Sequence, residues 1–217
     1  MITLGFWQVH RANEKKQMLE AHLNSSKQPT QFWTPDLKMP EQYQKIKVEG
    51  QFLPFSLFLD NQYYQHQFGY DVITPFLIKT EEFGNEQILL VDRGWIKGDI
   101  DRNKLPKIPI DHKIKQIEGS VYYPSSKTWV LGEEGEKKSE SIWIIERVDN
   151  KFIREILHKS VYPFIMRLGK REEGGFVRDW PIVSMPPQRH YAYALQWFSF
   201  AFVILVIFVA LQARKVS

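Results

Sequence analysis

YAYALQWFSFAFVILVIFVAL, residues 191–211, contains no charged side chain, and its reading governs the rest of the chain. At 1.5 Å per residue, a helix of this length crosses the roughly 30 Å of hydrocarbon in a bilayer. Arg189 and His190 stand before it and Arg214 and Lys215 after it. A transmembrane helix is therefore expected over 188–213, followed by a short cytoplasmic tail over 214–217, because basic residues collect on the cytoplasmic side. On that helix His190 shares one stripe with Tyr193, Ala194 and Trp197, at spacings of three, four and seven residues, while Phe200 to Val209 face lipid or another helix. Two readings of the stripe stand. Tyrosine and tryptophan belts mark the headgroup level, and a histidine beside them fits an interfacial anchor. An ionisable group at the edge of a membrane helix also marks function, and imidazole beside aromatic rings suits a planar hydrophobic cofactor.

Upstream of the span the pattern changes. Lys45 to Phe52 alternates, Gln67 to Ile78 is aromatic and β-branched, and Gln87 to Ile96 runs into the charged turn Asp92-Arg93-Gly94. Ile114 to Tyr123, Ser141 to Val148 and Val161 to Arg167 fit the same strand template. Pro124 to Glu140 is polar and is predicted to be a long exposed loop. Asn150 to His158 is predicted to be a helix, since Phe152, Ile153, Ile156 and Leu157 share one face. The fold class expected is a membrane-anchored, mainly β (α+β) protein. An antiparallel β-barrel-like extramembrane domain over 42–187 follows an N-terminal helix over 1–25 and precedes the C-terminal transmembrane helix. Within 1–25, Gln8 to Leu23 is rich in helix formers and lacks Gly and Pro, and Gln8, Arg11 and Lys15 fall on one polar face, read as solvated.

Composition narrows the function. The chain has 217 residues, 29 basic against 25 acidic side chains, and no cysteine. The absence of cysteine excludes thiol–disulfide exchange, thiolate metal relay and covalent haem attachment. The basic residues are dispersed and not interleaved with aromatics as in a nucleic-acid groove, so no nucleic-acid partner is expected. Arg167, Lys170, Arg171, Arg178 and Arg189, ahead of the span, are expected to meet anionic headgroups or an acidic partner. No G-x-S-x-G elbow, P-loop, H-E-x-x-H pair or dinucleotide fingerprint occurs, the six histidines show no chelating spacing, and Asp99 and Asp101 read as turn formers. The chain carries no catalytic motif, and no enzymatic activity is expected.

A series of short motifs remains. Leu4-Gly5-Phe6-Trp7-Gln8 with Arg11 and Lys15, Val48-Glu49-Gly50-Gln51-Phe52, Gly69-Tyr70 with Thr74-Pro75, Val91-Asp92-Arg93-Gly94-Trp95-Ile96, Ile117-Glu118-Gly119-Ser120-Val121, and His190 with Tyr193 and Trp197 occur in this order. Together they resemble the SURF1 family of membrane proteins that assist assembly of haem-copper cytochrome c oxidase. The family has two membrane helices, so Ile2 to Trp7 reads as the last turns of a truncated first one. Its Asn-Asn before the histidine is replaced here by Gln188-Arg189.

The resemblance implies an assembly factor that binds haem a and assists its insertion into oxidase subunit I. His190 would be the axial metal ligand, with Tyr193 and Trp197 as cofactor-binding residues and haem a as the cofactor. Subunit I, possible contact with haem a synthase, and membrane lipid are the implied partners. The implied location is the cell inner membrane with the β domain in the periplasm, or the mitochondrial inner membrane in a eukaryote. A haem-independent scaffold that stabilises a subunit I intermediate is the alternative. Arg93 is open to pairing with a haem propionate or an acidic partner, or with Asp92 or another strand inside the domain. Trp95 is expected in the core, and the motif glycines are expected where backbones approach closely.

Overall fold

A computed structural model describes residues 1–79, 87–99, 101–102, 104–109, 113–124, 135–173 and 176–216. The chain divides into two compact units, Met1–Asn24 with Pro181–Ser217, and Ser25–Trp180.

The second unit is built on one nine-stranded sheet. Its strands are β1 (Gln31–Phe32), β2 (Lys45–Phe52), β3 (Ser56–Tyr64), β4 (Gln67–Ile78), β5 (Gln87–Lys97), β6 (Lys115–Tyr122), β7 (Gly135–Ser139), β8 (Ile142–Ile145) and β9 (Ser160–Leu168). The order is β1-β2-β6-β9-β5-β4-β3-β8-β7, and β2 also pairs with β4. That extra pairing closes β2, β6, β9, β5 and β4 into a barrel, which removes their free edges. Most pairings are antiparallel, while β1–β2, β3–β8 and β5–β9 are parallel.

Closure depends on two strands that change partners. β4 pairs with β3 from Gln67 to Ile73, and its last residues, Phe76 to Ile78, pair with β2. β2 pairs with β6 from Lys45 to Gly50 and with β4 from Gly50 to Phe52. Gly50 is the residue shared by both ladders, and a Cβ there would collide with the Leu77 carbonyl oxygen. Only glycine lets the two backbones meet this closely.

The alternation of β2 becomes strict in-out burial, with Ile46, Val48 and Phe52 inside the barrel. Phe76, Leu89, Val91, Ile117, Phe164 and Met166 complete that interior. Trp33, 1 % exposed, packs edge-on to Tyr162 and Phe164 at ring distances of 5.2 and 5.3 Å and donates its indole N–H to Lys38 O at 3.0 Å. β5 is buried from Ile88 to Gly94 on both faces. Its second face joins Leu57, Ile73, Ile145 and Ile165 in another core, which includes Ile153 of α2 (Asn150–Leu157). The helix starts at Asp149, whose carboxylate accepts the N–H groups of Lys151 and Phe152, and stops at His158 in the left-handed conformation.

The polar segment expected to be a loop over 124–140 contains β7 at Gly135–Ser139, while 125–134 lie outside the described residues. β7 escapes a hydrophobicity reading because it is an outer strand with charged side chains, the usual protection of a sheet edge. β3 was not expected either. Its alternation is broken at Asp60-Asn61, where Asn61 has φ 57° and the register with β4 shifts between Leu59 and Gln62.

The first unit contains α1 (Ile2–Ser26) through Asn24, and α3 (Pro187–Val216). α3 opens on proline, whose missing N–H costs nothing in the first turn. Pro187–Lys215 is long and apolar enough to cross a membrane. Phe200 and Phe202 to Val209 are exposed all around it, as expected for a helix solvated by lipid.

Candidate functional site

His190 lies in the first turn of α3 and is 8 % exposed. Its Nδ1 is 2.7 Å from the carboxamide oxygen of Gln8 on α1. A carbonyl oxygen can only accept, so with the carboxamide oxygen toward the ring Nδ1 carries a proton, and in the neutral imidazole the Nε2 lone pair is then free. No hydrogen-bond partner of Nε2 occurs among the described residues. The neighbouring Tyr191 donates its hydroxyl to Asn13 Oδ1 at 2.8 Å.

These contacts belong to an antiparallel helix pair. Descending α1 from Asn13 through Gln8 to Phe6 and Gly5 corresponds to ascending α3 from Tyr191 and His190 to Phe198. Phe6 and Phe198 meet edge-on at 5.3 Å. A Cβ on Gly5 would lie within 2.8 Å of three Phe198 ring atoms, so glycine is what admits the ring. Ala12 and Ala194 are both buried. Small residues bring the helices close enough for a glutamine side chain to reach the imidazole.

Of the three site residues expected from sequence, His190 is buried, Trp197 is half-buried with its ring 6.2 Å from Phe200, and Tyr193 is 44 % exposed. Trp197 lies seven residues beyond His190, about 10 Å further along the helix axis. Gln8 belongs to the N-terminal motif, but the sequence reading left it open to solvent, headgroups or the oxidase and did not pair it with His190. Its placement on a solvated face is corrected by its bond to a side chain 182 positions away, which periodicity within α1 does not reveal. Arg11, on the same predicted face, pairs with Glu14 at 2.7 Å.

The Asp92-Arg93-Gly94-Trp95 string lies on β5 in the other unit. Arg93 does not bridge to Asp92. It donates to Pro109 O at 3.0 Å and packs over the rings of Phe52 and Phe176 at 5.3 and 4.8 Å. Burial, followed by the charge of Arg178, lowers Arg93 to about 10, so it stays charged at neutral pH. Trp95 is only half-buried, its indole N–H on Gln62 O at 3.3 Å.

Arg178, expected at a membrane or partner surface, is buried instead. Its Nε–H donates to Arg93 O at 2.9 Å, and its Nη groups reach the carbonyls of Gly169, Glu172 and Glu173. The irregular chain at 169–173 has carbonyls without ladder partners, and the guanidinium satisfies them. Arg167 is half-buried and lies against aromatic rings, 3.7 Å over the Tyr122 ring and 5.3 Å from that of Trp180.

Arg167 also stands in register with Asp92, near Asp71 of β4. Burial raises Asp71 to about 6 against the attraction of Arg167. It also raises Asp92 well above the usual carboxylate range, with the Asp71 charge adding to the effect. On the outer face of the barrel strands the charge of Arg167 thus acts on both carboxyls. Among the described residues no three carboxyl or imidazole groups gather as a metal site.

The donor chemistry of the helix pair fits a haem iron: an imidazole whose Nδ1 is held by a carboxamide oxygen and whose Nε2 meets no partner among the described residues, at the mouth of an apolar helix. A SURF1-like protein of Rickettsia felis is 27 % identical over 224 residues, covering 100 % of this chain and 94 % of its own length. One of Rickettsia conorii is 27 % identical over 232 residues, covering 100 % and 88 %. One of Rickettsia prowazekii is 28 % identical over 222 residues, covering 96 % and 84 %. The SURF1 family itself matches residues 1–202, from the helix that holds Gln8 through the barrel to the helix that holds His190, and the chain belongs to that family.

Proposed function

We propose that this protein serves cytochrome c oxidase assembly as a non-enzymatic haem a carrier, holding haem a through His190 and assisting its delivery to subunit I. Membership of the SURF1 family implies the role in oxidase assembly. The carrier step is supported by one observation, the buried His190 whose Nδ1–H is engaged by Gln8 and whose Nε2 is free at the start of α3. Neutral imidazole is a good axial ligand, and the apolar helix that follows offers a surface for a macrocycle and farnesyl tail. Trp197 supplies a ring on that path, and Tyr193 supplies an exposed edge beside it. α3 sits in the cell inner membrane with the β domain in the periplasm, since basic Arg214 and Lys215 hold the tail in the cytoplasm.

The test is co-expression with a haem a-producing pathway, purification in mild detergent, and absorption spectroscopy of wild type beside His190→Ala. A haem a band in the wild type that is lost in the variant is expected. A band that survives His190→Ala unchanged refutes the ligand assignment. Capture of subunit I without haem on the wild type favours the haem-independent scaffold.

A further inference from the structure

We propose that Gln8 is the positioning residue of His190. Its carboxamide oxygen holds the imidazole proton on Nδ1 and thereby keeps Nε2 ready to ligate a haem iron. The inference rests on the carrier reading, and one arm of its test is independent of haem.

Free neutral histidine prefers its proton on Nε2, the nitrogen that must be bare to bind metal on that side. With the Gln8 carboxamide oxygen facing the ring, the 2.7 Å contact reverses the preference before any ligand arrives, because an amide oxygen can accept but cannot donate. Metal-bound histidines in general give their other N–H to an acceptor that fixes ring and tautomer, and loss of that acceptor costs about 10–100-fold in metal affinity.

Gln8 is well placed to fix the ring. Contacts between the helices flank it on both sides, Gly5 and Phe6 against Phe198 on one and Asn13 with Tyr191 on the other. These settle the backbone of α1 relative to α3, so the glutamine reaches the ring from a fixed origin. Gln8 also sits directly beside Gly5, Phe6 and Trp7, so the glycine that admits Phe198 and the glutamine that orders His190 belong to one turn of helix.

The test uses the full chain in detergent with nitrogen-15 histidine, the His190 signals being identified by their loss in His190→Ala. Wild type should show Nδ1 protonated and Nε2 bare, and Gln8→Leu should move the proton to Nε2. The second arm titrates the same proteins with ferric haem a. Gln8→Leu should weaken binding about 10–100-fold, and Gln8→Glu should keep binding while lowering the midpoint potential, because a charged acceptor makes the imidazole a stronger donor to iron.

Wild type protonated on Nε2, or an unchanged tautomer in Gln8→Leu, overturns the proposal. So does wild-type haem affinity in Gln8→Leu. If Gln8→Leu does not fold, a midpoint potential unchanged in Gln8→Glu overturns it instead. Failure of haem to bind the wild type, together with a tautomer that still follows Gln8, would remove the carrier reading and leave the hold of Gln8 on His190 established.

Discussion

Replacing Asp71 by asparagine should stabilise the barrel at alkaline pH and do so less at acidic pH. Asp71 is raised from 3.8 to about 6 in the folded protein, first by burial, with Arg167 opposing the rise. A carboxyl whose folded value lies above its unfolded value binds its proton more tightly when folded. Its contribution is complete below the unfolded value and fades as pH rises through about 6. The full shift corresponds to about 3 kcal/mol, of which about 2 kcal/mol falls between pH 4.5 and pH 8. Asparagine keeps the shape and never ionises, and it removes the charge that helps to raise Asp92. Urea unfolding followed by near-ultraviolet circular dichroism, on wild type and Asp71→Asn at both pH values, measures the difference. The gain from Asp71→Asn should be greater at pH 8 by about 2 kcal/mol. An effect equal at the two pH values, or larger at pH 4.5, would refute the idea that Asp71 is ionised at a cost in the folded state.

Other substitutions probe the remaining parts. Trp33→Ala, at a site 1 % exposed against Tyr162 and Phe164, should cost about 3–5 kcal/mol in the same unfolding assay. Gly5→Leu should destabilise the helix pair by about 1–3 kcal/mol through collision with Phe198, measured by thermal unfolding in detergent. The cost should shrink in the Gly5→Leu, Phe198→Ala double variant, and purely additive effects would count against the contact. His190→Ala should remove the haem a band, as described above.

Much of the barrel is legible in the sequence because its strands keep their local pattern. β2 alternates in sequence and in burial, residue for residue. β4 and β5 are apolar on both faces because one lines the barrel and the other meets a second core. What is hidden depends on partners far away. Nothing in 160–168 announces that β9 runs parallel to β5 and antiparallel to β6. β3 is concealed by the Asn61 irregularity, and β7 by the charges that keep an outer strand from associating. Arg178 and Arg167 look like surface cations because composition cannot show that backbone carbonyls and aromatic rings await them. At the candidate site, His190 stands out by its position before an uncharged span. Gln8 stands out only as a member of the N-terminal motif, since its periodicity agrees with a solvent face and does not disclose its partner.

The sequence distance between Gln8 and His190 also sets a clock. The two residues are 182 positions apart. At about 5–20 residues per second of synthesis, the ribosome needs roughly 10–40 seconds to travel from one to the other. Through that interval the whole barrel emerges while α1 waits without α3, its Gly5 and Gln8 unmatched. The imidazole is thus held by Gln8 only when the chain is nearly complete, and a half-made protein lacks the finished helix pair.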